Sequence, residues 1–369
     1  MSRAVSKGGK LIGDSVRHTS ELRNFADGAV KLDASILRAG KSKVKGCWSA
    51  SVSVDDKHRP QEWGRPSSTV RREWCRSPQE AHLLEPGRNR YRRLSVDEIA
   101  VIQGFDPAWV DVPGLTRWQK VAALGNSVPP PLAKAMTESL FSVVDMRQAT
   151  ALELCAGIGG LASGVGRHVE HLALIENDPE ACSVLRSKSK WANAVLQQDL
   201  TQTDFRQFQG RVGLLSGGPP CQPWSNAGAG LGPLDERDLL GSMPDVVAQV
   251  CPEVFVFENV PGLLSPSFID YVTSLIESLR KPRGANANYG VMAAVFNAAD
   301  YGVPQVRRRV FIVGIRGAPN AMVHRVFDQM YGRTSHRVPT KPRNGKEPWV
   351  TLREAFSGME DPGGWRTWL

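Results

Sequence analysis

The chain has 369 residues, of which 41% are hydrophobic and 22% are charged. This length can hold two domains, or one large domain with an appendage. No apolar run approaches the roughly 20 residues that span a bilayer, and the basic N-terminus has no apolar segment typical of a signal peptide. We therefore predict a protein of the cytoplasm that makes no contact with a membrane.

Positive charge is concentrated in the first quarter of the chain. Residues 1–95 carry 20 Lys and Arg against 10 Asp and Glu, while the whole chain has a net charge of +9. The remainder is therefore close to neutral. A cationic segment beside a neutral body predicts a polyanionic partner such as nucleic acid, and the alternative is a solvated basic tail.

The six cysteines lie far apart, with no CxxC pair and no Cys/His cluster at zinc-finger spacing. This pattern predicts reduced thiols and no metal site. A cysteine with special chemistry must therefore owe it to its surroundings.

The first two elements that the sequence predicts with clear signals are helices. One begins after Ser95, which forms a capping-box pattern with Glu98. The other follows LGNSVPP and has prolines at its start. Its apolar residues recur at helical spacing and predict one buried face, made of Leu132, Ala133, Met136, Leu140 and either Val143 or Val144.

From residue 150 onward, short apolar runs alternate with helical stretches, which is typical of a parallel sheet covered by helices. Seven runs predict strands: TALELCAG, HLALIE, NAVLQQD, VGLLSGG, EVFVFENV, GVMAAVFNA and RVFIVGIR. After Arg316 the composition turns to Pro, Gly and charge, which predicts a loop with one short helix, TLREAF. The predicted fold class is α/β.

The first of these strands runs into AGIGGLASGVG, a glycine-rich turn that opens a helix. Glycines here let the backbone pass close to a ligand, and the amides at the helix start favour anionic groups. Glu176 and Asp199 end the next two strands, where an acid can bind ribose hydroxyls. Together they predict a nucleoside-type cofactor. The GxGG spacing favours S-adenosylmethionine, although a dinucleotide uses a similar sheet.

Three more blocks predict a reactive centre at the carboxyl edge of this sheet. SGGPPCQPWSNAG places Cys221 just past a strand, behind two stiff prolines. FENVPG ends another strand with Glu258. In QVRRR, alternation sends Arg307 and Arg309 to one face and Arg308 to the other. A thiol, a carboxyl group and fixed cations can thus converge as nucleophile, acid and electrostatic support.

Taken together, these blocks resemble the DNA (cytosine-5)-methyltransferase family. The resemblance covers roughly residues 65–317 and is carried by AGIGG, GGPPCQPWS, DERDLL, ENVPG, NAADYGVPQVRRR, RLSVDEIAVIQGF and LGNSVPP. It implies a Rossmann-like sheet of the kind that binds S-adenosylmethionine, with a second, smaller target-recognition domain. We expect the catalytic domain at 117–317 and the smaller domain in 1–116 together with 318–369.

The order of the blocks departs from the family. Its IQGF and GNSVPP blocks usually come last, whereas here they precede the glycine-rich turn. The chain therefore looks like a circularly permuted member. Permutation is physically reasonable, because the helix after GNSVPP packs beside the first strand in this fold and a short link can join them.

The resemblance also implies the catalytic roles. Cys221 would attack C6 of cytosine, Glu258 would bind or protonate N3, Arg309 would hold O2, and Arg307 would steady the acid and the nearby backbone. Two further residues would position the loops: Asn259 and Gln222. Covalent attachment is needed because the ring carbon C5 is too poor a nucleophile to accept a methyl group unaided.

For the cofactor, the resemblance assigns the ribose to Glu176, the adenine amine to Asp199 and the carboxylate side to Asn126 with Ser127. Further contacts are expected along the glycine-rich turn and nearby loops, from Cys155, Ala156, Gly157, Ile158, Gly159, Gly160, Asn177, Leu200, Pro219 and Leu240. Family members usually carry an aromatic residue where Cys155 stands.

The implied partner is double-stranded DNA, from which the target base must be swung out, with residues 226–239 as a lid that closes on it. The resemblance further implies a monomer that serves as the modification enzyme of a restriction-modification system, with a cognate endonuclease as a partner in that system. Three alternatives stay open at this point. One is a tRNA cytosine methylase, and another is a non-catalytic nucleic-acid binder. The third is a nicotinamide dehydrogenase, whose chemistry has no use for PPCQ with ENV.

Overall fold

The computed structural model describes residues 60–75, 81–85, 87–88, 90–166, 168–220, 239–338 and 345–367. Cys221, Gln222 and the predicted lid up to residue 238 lie outside these ranges. The described helices are α1 (Val96–Ile102), α2 (Arg117–Asn126), α3 (Pro130–Phe141), α4 (Gly160–Val165), α5 (Pro179–Arg186), α6 (Met243–Val250), α7 (Ile269–Arg280), α8 (Asn320–Gly332) and α9 (Leu352–Ala355).

The described strands form one large sheet and two small ones. They are β1 (His82–Leu84), β2 (Arg90–Arg93), β3 (Thr150–Leu154), β4 (Glu170–Glu176), β5 (Val195–Gln197), β6 (Leu214–Gly217), β7 (Val254–Asn259), β8 (Tyr289–Asn297), β9 (Arg308–Arg316), β10 (His336–Arg337), β11 (Glu347–Pro348) and β12 (Arg366–Thr367). No helix within the described ranges is long and apolar enough to cross a membrane.

The large sheet has the order β5-β4-β3-β6-β7-β9-β8 and contains all seven predicted strands. Its strands run parallel except β9, which is antiparallel to both neighbours. The prediction of a parallel sheet covered by helices is therefore confirmed for every strand of the large sheet except β9. The cause is the short connection 298–307, because a parallel return needs a crossover of a dozen or more residues. The reversal brings the start of β9 beside the end of β7.

Helices cover both faces of this sheet. α6 and α7 bury apolar side chains against one face, and α3, α4 and α8 do so against the other. The prediction of a loop after Arg316 was wrong for 320–332, because α8 is a full helix. Its buried residues recur at helical spacing and are Val323, Val326, Phe327 and Met330.

α3 lies directly against the helix that follows the glycine-rich turn. A Cβ at Gly164 would lie 2.5 Å from the carbonyl carbon of Ala133, and one at Gly160 would lie 2.1 Å from the carbonyl oxygen of Val128. Glycine is therefore required for this close approach. Residues 142–149 then connect α3 to β3, an interior strand of the large sheet.

The predicted helix after Ser95 is confirmed, and so is its cap. Ser95 Oγ accepts a hydrogen bond from the backbone N–H of Glu98, and the Glu98 carboxylate accepts one from the backbone N–H of Ser95. The face predicted for the helix after LGNSVPP is also confirmed, since Leu132, Ala133 and Met136 are buried, as is Leu140.

A small antiparallel sheet joins distant parts of the chain. β12 pairs with β2, with Arg366 opposite Tyr91, and β1 pairs with the other edge of β2. Arg92 is buried between two acids: its guanidinium lies 2.6 Å from Glu98 Oε1 and 3.3 Å from Asp361 Oδ1. Strands that precede the large sheet in the chain, β1 and β2, thus form one small sheet with β12, which follows it.

Candidate active site

A cavity of about 410 Å³ lies at the edge of the large sheet where β3, β4, β5, β6 and β7 end and where β9 begins. Its other wall is α2. In an open α/β sheet, ligands bind outside the carboxyl ends of the strands, so this cavity is the candidate functional site.

The glycine-rich turn forms one side of the cavity. Cys155, Gly157 and Gly159 adopt left-handed backbone conformations, with φ of 50°, 55° and 83°. A Cβ at Gly157 would meet nothing within 4 Å, so the turn leaves open space beside the backbone. At Gly159, in contrast, a Cβ would lie 2.5 Å from the ring of Trp191. Gly157 thus leaves open space in the cavity, whereas Gly159 permits tight packing against Trp191.

Glu176 binds this turn to the end of β4. Its Oε2 accepts the backbone N–H of Gly157 at 2.7 Å, and its Oε1 accepts those of Asn177 and Asp178 at 2.9 Å each. Burial raises the pKa of the Glu176 carboxyl, and these backbone hydrogen bonds oppose the rise. Glu176, which was predicted to bind the ribose, therefore also fixes the conformation of the glycine-rich turn.

Asp199 follows β5 and lines the same cavity. Its Oδ1 accepts hydrogen bonds of 2.8 Å from both the side-chain hydroxyl and the backbone N–H of Thr201. These bonds lower the pKa of Asp199. The carboxylate is thus ionised and fixed in place at the cavity edge.

Most residues predicted to bind the cofactor line the cavity: Asn126, Cys155, Gly157, Ile158, Glu176, Asn177, Asp199, Leu200 and Pro219. The others lie behind this lining. Ala156 and Leu240 are buried in the core clusters, and Ser127 packs behind the turn, with its Oγ 2.3 Å from where a Cβ of Gly160 would be.

Glu258 and Arg309 meet at the opposite end of the cavity. Arg309 Nε lies 2.7 Å from Glu258 Oε1, and only 12% and 11% of the two side chains are exposed. Burial raises the pKa of Glu258, although the positive charges of Arg309 and Arg307 oppose the rise. The site therefore holds a carboxyl group that accepts a proton more readily than an ordinary glutamate.

Arg307 is 1% exposed and binds backbone carbonyls around the cavity. Its guanidinium donates to Val70 O at 2.8 Å, to Gly125 O at 2.8 Å and to Ser127 O at 2.9 Å. It thereby ties the segment before α1 to the end of α2. The predicted alternation holds, because Arg307 and Arg309 both line the cavity and Arg308 is not part of its lining.

The strand that leads to Cys221 ends inside the cavity. Pro219 and Pro220 form part of its wall. Asn259 is buried, and its Nδ2 donates to Pro219 O at 3.4 Å. The end of β7 thus contacts the backbone immediately before the predicted nucleophile. Cys221 and Gln222 themselves lie outside the described residues.

The family model "C-5 cytosine-specific DNA methylase" matches residues 10–142 and 149–355. The chain belongs to this family. Among the similar curated proteins are the Type II methyltransferases M.NgoMIV of Neisseria gonorrhoeae, 39% identical over 175 residues, and M.PspPI of Psychrobacter sp. (strain TA137), 36% identical over 178 residues. These matches cover 46% and 47% of this chain and 52% and 41% of the relatives. The chain thus spans about half or less of the relatives' length.

A solved structure described as a putative DNA modification methyltransferase encoded within an E. coli prophage is also similar. It is 23% identical, with a TM-score of 0.37, and the match covers 46% of this chain and 47% of that chain.

Two buried glutamines form a network that the sequence patterns did not predict. Gln305 accepts the backbone N–H of Val70 at 2.8 Å and donates to Gln103 Oε1 at 2.5 Å. Gln103 in turn donates to Leu124 O and, at 3.4 Å, to Ser127 O. The only signal was that each glutamine stands inside a quoted block, IQGF or VPQVRRR.

The sequence patterns also left out α2 and its contribution to the cavity. Thr116 and Gln119 form a capping box at its start, which was an available signal. Gln119 Nε2 donates to Glu180 Oε1 at 2.7 Å and so joins α2 to α5. Among the lining residues that were not predicted, six carry polar or aromatic side chains: Arg72, Trp118, Gln119, Asp178, Glu180 and Gln198.

Proposed function

We propose that this chain is a site-specific DNA cytosine-5 methyltransferase that moves a methyl group from S-adenosylmethionine to C5 of a cytosine flipped out of duplex DNA. The observation that carries the proposal is the Glu258–Arg309 pair, which lies in the same cavity as Pro220, the residue before Cys221. In this proposal the acid, the cation and the thiol of the next residue, Cys221, act on the same base.

The cavity suits S-adenosylmethionine. Carboxylates of Glu176, Asp178, Glu180 and Asp199 line one end, which fits ribose hydroxyls, an adenine amine and a cationic sulfonium. The open space at Gly157 allows close approach of a ligand to the backbone. When bound, this cofactor supplies an electrophilic methyl group.

The residues of the chain would then act in sequence. The Cys221 thiolate adds to C6 of cytosine and forms a C–S bond, while N3 takes a proton from Glu258, so that C5 becomes nucleophilic. Arg309 stabilises the charge that develops at O2. After C5 has accepted the methyl group, a water molecule takes the C5 proton, the electron pair of the C5–H bond forms the C5–C6 double bond and the Cys221 thiolate leaves. N3 then returns its proton to Glu258.

The raised pKa of Glu258 supports its part in this scheme. A carboxyl group can donate to N3 only in its protonated form, and burial favours that form. Once Glu258 has given up its proton, its carboxylate is negatively charged. The positive charge of Arg309 then stabilises it, so the contact between the two side chains would persist. Glu258 would thus transfer the proton, and Arg309 would compensate the negative charge that remains on Glu258.

We further propose circular permutation. The family model matches two separate segments, and the unmatched residues 143–148 fall in the link between α3 and β3. The contact of α3 with α4 fits a chain in which the usual last helix has been joined to the usual first strand. A smaller recognition domain built from 1–116 and 318–369 also belongs to the proposal. Pairing of β12 with β2 supports it, although the packing of α8 on the large sheet favours a boundary after Gly332.

The similar proteins named Type II methyltransferases support a role as the modification enzyme of a restriction-modification system, beside a cognate endonuclease. The surplus positive charge of residues 1–95 supports contacts with DNA phosphates. A tRNA substrate is the second candidate, because it would use the same chemistry. The protein can be incubated with labelled S-adenosylmethionine and either duplex DNA or tRNA. The nucleic acid that becomes labelled is the substrate.

Cys221→Ala tests the mechanism. It should abolish transfer and the covalent adduct with duplex DNA that contains 5-fluorocytosine, because no C–S bond can form. Binding of S-adenosylhomocysteine should persist. Cys251→Ala is the matched control, since Cys251 is half-buried and is not part of the cavity lining. Transfer by the Cys221 variant would rule out this mechanism.

A further inference from the structure

Trp118 places a large aromatic ring in the cavity. It is 37% exposed and is the only large hydrophobic side chain that is exposed among the described residues. It also lines the cavity. A tryptophan held open to solvent within a concave polar site is expected to bind part of a ligand, because covering its ring removes apolar surface from water.

One face of α2 forms a continuous wall of the cavity. Residues 118, 119, 122, 123 and 126 all belong to the lining, and their spacing places them on one side of the helix. At 1.5 Å per residue, the wall from Trp118 to Asn126 is about 12 Å long. That length suits an extended small molecule with different chemical groups at its two ends.

The two ends of this wall have different surroundings. Gln119, next to Trp118, is hydrogen-bonded to Glu180 at 2.7 Å, so the start of α2 lies at the acidic end of the cavity. Asp178 and Glu180 line that end. Asn126, at the far end, precedes the backbone carbonyl of Ser127 that Arg307 binds at 2.9 Å.

The opposite side of the cavity carries a small residue. Cys155 follows β3 with φ of 50° and lines the cavity with a short side chain. Among the described residues that line the cavity, Trp118 is the only one with an aromatic side chain, so the aromatic surface of the described lining comes from α2.

We propose that Trp118 stacks on the adenine ring of S-adenosylmethionine and that the cofactor extends from there along α2 toward Asn126. This inference rests on the proposed function, since it names a further binding residue for the same cofactor. Stacking of a base on an aromatic side chain is lost on substitution by alanine, and the expected loss of affinity is about 10- to 100-fold.

The test uses Trp118→Ala and Trp118→Phe in the full chain. Calorimetry with S-adenosylhomocysteine should show about 10- to 100-fold weaker binding to Trp118→Ala and less than a roughly 5-fold loss for Trp118→Phe, which keeps an aromatic face. 5′-Methylthioadenosine, which has adenine but no amino-acid group, should lose affinity by the same factor. Trp365→Ala is the matched control, because Trp365 contacts Arg90 and Arg92 in the small sheet and lies outside the cavity lining.

Unchanged affinity of Trp118→Ala for both adenosine ligands would overturn the inference. So would weaker binding of duplex DNA with unchanged binding of S-adenosylhomocysteine, because the ring would then contact DNA. If the unsubstituted protein bound no S-adenosylhomocysteine, the proposed function itself would fail. Thermal unfolding of each variant without ligand checks that the fold is intact.

Discussion

Arg309 donates from Nε to Oε1 of Glu258 across 2.7 Å, and the two residues belong to neighbouring strands that run in opposite directions. Because β9 is antiparallel, its first residues lie beside the last residues of β7. A parallel β9 would have placed the arginine at the far edge of the sheet. The reversal of one strand therefore assembles the acid and its cation.

Replacing Arg309 should impair methyl transfer more than cofactor binding. Arg309→Met removes the charge that opposes the raised pKa of Glu258, so the carboxyl group should become still easier to protonate and the support at O2 should be lost. We expect kcat with duplex DNA to fall by about 100-fold, a typical loss for one electrostatic contact. Arg309→Lys should recover part of this loss. A kcat within 2-fold of the unsubstituted protein would contradict the assignment.

Glu258 should make stability depend on pH. Burial raises its folded pKa above its unfolded value, so its contribution is full below the unfolded pKa and is lost as the pH rises through the folded pKa. Glu258→Gln does not titrate. The unfolding free energy of the unsubstituted protein minus that of Glu258→Gln should therefore fall from about pH 4.5 to pH 8 in urea titrations. A difference that grows over this range would mean a lowered pKa.

The buried glutamine network should contribute to stability and to cofactor binding. Gln305→Ala leaves the backbone N–H of Val70 and the side chain of Gln103 without this partner. Buried groups without a hydrogen bond cost about 1–3 kcal/mol each, so we expect a loss of roughly 3 kcal/mol of unfolding free energy. The end of α2 should also loosen and raise the KM for S-adenosylmethionine.

Gln329→Ala is the control for the network, because Gln329 is exposed on α8. It should change the unfolding free energy by less than about 0.5 kcal/mol. Equal effects of the two substitutions in urea titrations would show that the network contributes no more than a surface residue.

Gly160 should not tolerate a side chain. A Cβ there would lie 2.1 Å from Val128 O, which is backbone and cannot rotate away. We expect Gly160→Ala to destabilise the fold by more than about 2 kcal/mol, through separation of α4 from α3. A Cβ at Gly332 would meet nothing within 4 Å, and Gly332 is the last residue of α8. Gly332→Ala should therefore be neutral or stabilise the fold by about 0.5–1 kcal/mol. Thermal unfolding compares them, and equal midpoints would contradict the packing argument.

The strands and the site acids could be predicted because their signals are local. Each of the seven strands is a short apolar run, and Glu176, Asp199 and Glu258 follow or end such runs. α8 also had a local signal in the spacing of Val323, Val326 and Phe327. It was missed because the Pro, Gly and charged residues after Arg316 suggested a loop.

Other features depend on contacts between distant residues and have no local signal. Gln103 and Gln305 are hydrogen-bonded although 202 positions separate them, and a glutamine within an apolar block does not reveal its partner. The direction of β9 follows from the length of its connection to β8. Glu176 was predicted as a ribose ligand, but its bonds to three backbone N–H groups follow only from the geometry of the turn.

The pairing of β12 with β2 has a consequence for biosynthesis. The ribosome makes β2 before the whole seven-stranded sheet and β12 after it. Asp361 is therefore synthesised 269 residues after Arg92, whereas Glu98 follows Arg92 by six residues. The small sheet can close only after the nascent polypeptide has emerged as far as residue 367, so a ribosome stalled earlier would leave one edge of β2 open to aggregation.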